Sequence, residues 1–401
     1  MAVLGSLYVA QGVVAGFAGF VLVPTLAASG ASLEAQTGLV ALTSLPWVLK
    51  VLWGPLLDRF GARDGGRARV IVSLAMLGAA AVLLVMGAGL PDRAALVDNL
   101  ARVHVQWFVL GLLLSLQDVG TDALALDRVQ ADDRGFANGV MLGGHHVGNE
   151  AFGGLALGAI VGAMGVGWGF TAIGALLVLT AAAPMLLPPT PDRTVASTPV
   201  GLAQAMRGVL STPRARWAAA LALVVLAGDI ITSATSGAFW VTRLGWTVPQ
   251  ITAELPPLLL VGNVAGYFIA GVTTDRVGPV RATAGAAITL GLLWAGFGVA
   301  EPWWPDAAFL RGFVVVQAVV TAVMMVGLHA VLMGAVVPRI RATHFTLLMA
   351  LVNVPRVALA PLAPGLLEAL GFAGLFIACG GLQVAVGAAV RWQRVALRAE
   401  D

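Results

Sequence analysis

Apolar stretches of nearly one length fill almost the whole chain. A helix rises about 1.5 Å per residue and the hydrocarbon core of a bilayer is about 30 Å thick, so about 20 apolar residues span it. Roughly twelve such stretches follow one another, near 3–27, 36–57, 70–90, 104–127, 136–161, 167–187, 217–240, 250–272, 282–300, 309–336, 343–366 and 372–392. Lipid offers no partner to a backbone N–H or C=O, so each stretch must satisfy its own. The expected fold is an all-α membrane protein of twelve transmembrane helices.

Composition agrees. Hydrophobic residues make up 59% and charged residues 11%, and the mean hydropathy is +0.92, which leaves almost nothing for a soluble domain. The first stretch begins at once, lacks a basic leader and exceeds a signal-peptide core in length, so it reads as the first span. Cys379 is the single cysteine and lies inside a span, so no intrachain disulfide and no redox compartment follow. The net charge of +3 belongs to a lipid-facing rim, and no nucleic-acid partner is expected.

Arginines set the orientation, because basic residues near span ends stay in the cytoplasm. With both termini inside, the inner loops hold Arg59, Arg63, Arg67, Arg69, Arg128, Arg134, Arg193, Arg207, Arg214, Arg216, Arg276, Arg281, Arg339, Arg341, Arg391, Arg394 and Arg398, and the outer side only Arg93, Arg102, Arg243 and Arg311. The reverse orientation inverts that bias. Both termini are therefore expected in the cytoplasm of a cell with this protein in its inner membrane.

The chain also repeats. Gly54, Asp58, Arg59 and Gly61 form the octet G-x-x-x-D-R-x-G, and Gly271, Asp275, Arg276 and Gly278 form it again. Each copy closes the second span of its half, so the repeat is parallel. Residues 188–215, with five prolines among small polar residues, read as a cytoplasmic linker between bundles 1–187 and 216–401. A membrane unit written twice points to a transporter. Gly54 and Gly271 would let backbones approach; the aspartates would pair with a neighbouring helix N-terminus and the arginines with carboxylates or lipid phosphates, together latching an inner gate. Asp127, at the cytoplasmic end of the fourth span, is a candidate partner for Arg59 or a solvated loop charge.

The run Leu45-Pro46-Trp47-Val48-Leu49-Lys50-Val51-Leu52-Trp53-Gly54-Pro55-Leu56-Leu57-Asp58-Arg59 resembles the second-helix signature of the AmpG-like group of the major facilitator superfamily. Gln117-Asp118-Val119-Gly120-Thr121-Asp122 with Asp127 and Asp133-Arg134-Gly135 resembles its fourth-helix motif. The C-terminal half matches at superfamily level. That group includes anhydromuropeptide permeases, siderophore importers of the rhizobactin and pyochelin type, and acetyl-CoA transporters. The resemblance implies solute import across the inner membrane driven by the proton gradient. Muropeptide permeases carry a Gly-Tyr-Arg-type stretch in the fifth helix, where this chain has Gly143-Gly144-His145-His146, and several are longer. The first substrate expectation is accordingly a siderophore, and the alternative a peptidoglycan fragment.

Charges inside the spans supply candidate chemistry, because each costs about 2.5–3.5 kcal/mol to insert and tends to face a cavity or a partner. Lys50, the only lysine, lies about 12 Å above the inner surface. Asp118 and Asp122, one turn apart at that depth, are its natural partners; snorkelling to the headgroups is the alternative. His145, His146, Asn149 and Glu150 share one face of the fifth span and can handle a proton; a hydrogen-bonded contact to Asn263 is the structural alternative. In the second half Asp229, His329, Asn353 and Arg356 lie mid-span. Pro355 would break the helix beside Arg356, making a clamp for an anionic group, unless Arg356 is held by an acid. The acids Asp118, Asp122, Glu150 and Asp229 outnumber Lys50 and Arg356, as proton coupling requires.

The sum of these expectations is a proton-coupled carrier, monomeric, with lipid, protons and a small-molecule substrate as partners and no cofactor, metal or catalytic residue. Asp118, Asp122, His145, His146, Glu150 and Asp229 would handle protons. Lys50, Asn149, Asn263, His329, Asn353 and Arg356 would bind substrate. A non-transporting membrane sensor or scaffold is the reading from another class. Trp303-Trp304 would sit in an outer aromatic belt, while Trp47, Trp53, Trp240 and Trp246 serve belt, packing or stacking on substrate.

Overall fold

The computed structural model describes residues 1–53, 65–128, 134–187, 207, 212–335 and 341–398. Side chains 65–66, 126–127, 134–139, 341–343 and 393–398 are not described. Gly54, Asp58, Arg59, Gly61 and most of 188–215 thus lie outside the described residues, as does the side chain of Asp127.

Among the described residues the regular structure is helical. Ten apolar helices are α1 (Ala2–Ala28), α2 (Leu33–Leu52), α3 (Arg67–Gly89), α4 (Leu100–Ala125), α5 (Val140–Met164), α6 (Val166–Leu186), α7 (Pro213–Arg243), α8 (Val248–Val277), α9 (Pro279–Val299) and α10 (Ala307–Gly334). An eleventh stretch, His344–Trp392, runs 49 residues, too long for one crossing. It divides at Gly371, where φ is 63°, into α11 (344–370) and α12 (372–392), giving the twelve crossings that hydropathy predicts.

Local chemistry starts these helices where loops end. Ser32 accepts a hydrogen bond from the Ala35 N–H (3.3 Å), Asp306 from Phe309 (2.8 Å) and Thr212 from Ala215 (3.1 Å), each satisfying a donor the first helical turn leaves open. Pro213 follows Thr212 at the first helical position, where its missing N–H is not needed.

The chain divides into two compact units, Met1–Leu202 with Gly245–Pro257, and Ala203–Leu244 with Leu258–Asp401. The division falls inside the expected linker, but the start of α8 groups with the first unit.

Small residues pack each unit. In the first, a Cβ on Gly12 would lie 2.0 Å from the His145 carbonyl oxygen, and one on Gly16 1.9 Å from that of Asn149. Backbone therefore rests on backbone between α1 and α5, as lipid-embedded helices require when only packing holds them together. Gly87 and Gly174 join α3 to α6 likewise, and Gly111 joins α4 to Pro46 of α2. The second unit repeats the scheme: Gly291 and Gly380 join α9 to α12, Gly262 and Gly266 join α8 to α10, and α7 packs on α11. The octet is thus one trace of a repeat that also governs packing.

The apolar cores differ in kind. The first unit is mainly aliphatic around Phe17, Phe170 and Trp107, with Phe17 and Phe170 edge to face at 5.2 Å. The second centres on Phe239, ringed by Phe297, Trp304, Phe372 and Phe376 at 5.1–5.8 Å. Trp304 is 1% exposed and donates to the Phe297 carbonyl at 2.9 Å. It is a core residue, and only its neighbour Trp303, 65% exposed, suits an interfacial belt.

Candidate functional site

In the first unit the polar residues of α1, α2 and α4 meet. Pro46 lies inside α2, and a Cβ at Gly111 would come 2.8 Å from its ring, so α4 lies directly on α2 there. One turn beyond Pro46, α2 tightens into the 3-10 turn Lys50–Leu52. Two turns beyond Gly111 stands Asp118, and its Oδ2 is 3.4 Å from Lys50 Nζ. The pairing expected from the lone lysine is present. The ammonium also lies over the Trp47 ring, 5.6 Å from its centre, where the face of the indole attracts a cation.

Asp122 takes a different partner from the one its spacing suggests. The Tyr8 hydroxyl of α1 donates to its Oδ1 at 2.7 Å. One turn along α1, buried Gln11 donates through Nε2 to Gln117 Oε1 (2.6 Å) and to Asp118 Oδ1 (3.2 Å). Gln117 in turn donates to Thr121 at 2.9 Å, and Trp53 Nε1 to Ser115 Oγ at 2.8 Å. The Asp118 carboxylate is thereby shared between a cation and an amide. Asp122 is held by a hydroxyl.

Sequence reasoning missed Tyr8 and Gln11. The usable signal was their i, i+3 spacing on an apolar helix in a chain with only two tyrosines.

On α5, His146 Nδ1 lies 3.2 Å from Glu150 Oε1, and Asn149 Nδ2 donates to the same oxygen at 3.5 Å. The His145 and His146 rings stand edge to face at 5.9 Å. Glu150 is 2% exposed. Val147–Ala156 is π-helical, so regular α-helical spacing does not describe this segment. Short π segments of this kind are frequent at functional sites. The Gly12 and Gly16 contacts press α1 on the main chain of His145 and Asn149, which fixes where this face lies.

In the second unit Arg356 Nη2 reaches 4.0 Å from Asp229 Oδ2, with the side chains 33% and 14% exposed. Arg356 is therefore held near an acid. The helix is not broken at Pro355: Arg341–Leu359 runs through it, and the irregular turn falls at Ala360–Leu362. The break belongs instead to α7, which stops at Val224 and restarts as Ala227–Ala234 with Asp229 in its first turn. Asn353 bonds back to the Met349 carbonyl (3.2 Å) and His329 to that of Met325 (2.7 Å), both within their own helices. Asn263 is half-buried on α8.

The second octet copy lies at the end of α8. Asp275 and Arg276 are exposed. Among the described residues a Cβ on Gly271 would meet nothing within 4 Å, so there this glycine makes no close backbone approach of the kind expected of it. Gly278, at φ 84°, makes the turn into α9 in a conformation that side chains disfavour.

Comparison with known proteins fits this geometry. Residues 4–314 match the model of the Major Facilitator Superfamily. The anhydromuropeptide permease of Escherichia coli (strain K12) is 26% identical over 350 residues, which cover 85% of this chain and 69% of that protein; the permease of Escherichia coli O157:H7 matches equally. Likeness at that level runs well into the C-terminal half, beyond the N-terminal motifs that first suggested it. Among solved structures, the nucleoside transporter NupG superposes with a TM-score of 0.73 at 14% identity, over 97% of this chain and 98% of that one. A bacterial homologue of the human lysosomal transporter Spinster, inward-facing and unoccupied, superposes with a TM-score of 0.64 at 18% identity, over 98% and 94%. At such identities these two show the fold alone. A repeat of six helices, charged residues within the spans of both units and a family model matched over most of the chain place this protein in the Major Facilitator Superfamily of membrane transporters.

Proposed function

We propose that the protein is a proton-coupled importer of peptidoglycan fragments of the anhydromuropeptide class, residing in the inner membrane with both termini cytoplasmic. The observation that carries the substrate class is the 26% identity to anhydromuropeptide permease across 85% of the chain. It favours the peptidoglycan alternative over the siderophore suggested by chain length and the His145-His146 departure. Such a substrate joins sugar rings to a peptide bearing carboxylates. Lys50 and Arg356 suit the carboxylates, Trp47 beside Lys50 suits a sugar face, and Asn149, Asn263, His329 and Asn353 supply uncharged polar contacts.

Proton handling is assigned to Asp118, Asp122, Glu150 and Asp229, with His145 and His146 beside them. Asp118 and Asp122 stand one turn apart, with a lysine at the first and a hydroxyl at the second, so neutralising one of them costs less than holding both charges in lipid. Asp275 and Arg276 are assigned, with the first octet and Asp127, to closing the cytoplasmic side.

Proteoliposomes test both halves of the proposal. Purified protein should accumulate labelled anhydromuropeptide when an inward proton gradient is imposed, and lose that accumulation when the gradient is collapsed. Uptake no greater than in empty liposomes overturns the substrate class. Uptake indifferent to the gradient and to Asp122→Asn and Glu150→Gln overturns the coupling.

A further inference from the structure

The ion pair Asp229–Arg356 sits next to an irregularity that the function above does not use. α7 turns at Val225–Leu226, where Leu226 has φ −103° and ψ 8°, and turns again at Thr235 with φ −94° and ψ 0°. Ala227–Ala234 is thus a short helical segment set off at both ends. Asp229 belongs to its first turn, so the direction of its carboxylate depends on how the first turn is pinned.

The pin comes from α12. Gln383, 2% exposed, donates from Nε2 to the Val225 carbonyl at 2.8 Å, a contact 158 residues apart in sequence. The same nitrogen is 3.3 Å from the Met324 sulfur of α10. Its Oε1 is buried with no hydrogen-bond partner among the described residues, and a Cβ placed on Gly228 would come within 3.1 Å of it and 2.8 Å of the Cys379 carbonyl. The amide cannot usefully turn over, since its oxygen would then face the Val225 carbonyl. A buried amide that leaves its oxygen unsatisfied in order to reach one main-chain carbonyl is a costly way merely to fill space. An apolar side chain of that size would fill it without the unsatisfied oxygen.

We infer that Gln383 is a positioning residue for the substrate site of the second unit. Its bond to Val225 fixes the α7 turn and thereby aims Asp229 at Arg356. Gly228 is the companion feature: with no Cβ it lets α7 lie against the α12 main chain one residue before Asp229. The functional part of this inference rests on the assignment of Asp229 and Arg356 to the transport site. The positioning part does not.

Two measurements separate these parts. Gln383→Met keeps the volume and loses the donor; Gln383→Leu also loses it with a smaller side chain, and serves if the first variant does not accumulate. In purified protein, amide exchange in 225–232 should quicken about tenfold or more, while that of 213–221 stays as in the parent. Unchanged exchange at 225–232, or equal quickening along all of α7, overturns the positioning role whatever the substrate is. In liposomes, the variant should raise KM for labelled anhydromuropeptide about tenfold with a smaller change in maximal rate, and should have little further effect when combined with Asp229→Asn. Equal fold-losses with and without the Asp229→Asn substitution overturn the route through Asp229. Full uptake by Arg356→Gln instead overturns the site assignment, and leaves the exchange result to decide the role of Gln383.

Discussion

The two units share a packing plan and differ in how they hold charge. In the first, Lys50, Asp118, Gln11 and Gln117 form one connected network on three helices, with Tyr8 and Asp122 paired one turn away and all contacts at 2.6–3.4 Å. In the second, Asp229 and Arg356 meet at 4.0 Å and stay partly open, beside the turn in α7. A tight, satisfied network resists disturbance. A long, part-open pair can exchange its partner for an incoming carboxylate, because little is lost when the two groups separate. The repeat therefore supplies two equivalent frames; on the proposed function, divergence within them would make one a proton store and the other an anion clamp.

The comparison breaks most readily at Lys50. Lys50→Ala leaves the Asp118 carboxylate buried without its cation, and removing one partner of such a pair destabilises by about 3–5 kcal/mol. The melting temperature in detergent should fall sharply and gradient-driven uptake should vanish. Adding Asp118→Asn should restore much of the stability and none of the coupling. A Lys50→Ala protein that melts like the parent would mean that the first unit holds its charges no more tightly than the second.

Glycine contacts give the next largest effect. Gly12→Ala would set a methyl 2.0 Å from a main-chain oxygen of α5, which no rotamer can avoid, so α1 and α5 must part at a cost toward the top of the about 1–3 kcal/mol typical of overpacking. Gly291→Ala in the second unit meets the Gly380 oxygen at 2.5 Å and should cost less. Melting curves of the two variants side by side measure whether the packing plan is equally strict in both units.

Much of this architecture was legible in the sequence because lipid imposes simple rules. Spans follow from length and hydropathy, and Lys50–Asp118 follows from there being one lysine inside a membrane that must find an acid at its own depth. The unread parts depend on tertiary context. Tyr8 and Gln11 are single polar residues on an apolar helix, and nothing in α1 says that α4 supplies their partners. Pro355 reads as a break, yet the helix passes through it, since one lost hydrogen bond is tolerable where neighbours pack. The true break at Val225–Leu226 contains no proline at all, and the carbonyl at it accepts from Gln383, 158 residues away. Gly271 and Gly278 look alike in the octet, but only Gly278 has the positive φ that needs glycine.

A smaller effect is expected at Tyr8. Tyr8→Phe removes only a hydroxyl, and with it the 2.7 Å bond to Asp122, worth about 1.5–3 kcal/mol when the acceptor is charged and less when it carries a proton. Stability should therefore fall by about 1.5 kcal/mol or less, while the pH dependence of uptake shifts, because the hydroxyl donates more strongly to the ionised carboxylate than to the protonated acid. An unshifted pH profile would remove Asp122 from the proton path and leave it as a packing contact.

The smallest change in stability belongs to the second unit. Asp229→Asn acts on a pair at the outer limit of direct contact, with a third of the arginine side chain exposed, so its loss should cost less than about 1 kcal/mol. Its effect on transport should be larger than its effect on melting, since Arg356 then faces the substrate carboxylate without a resident competitor but also without the acid that orients it. A raised KM with an unchanged melting temperature supports the clamp. If Asp229→Asn instead destabilises as strongly as Lys50→Ala, the pair is a structural brace, and the difference between the units lies in their packing and not in their chemistry.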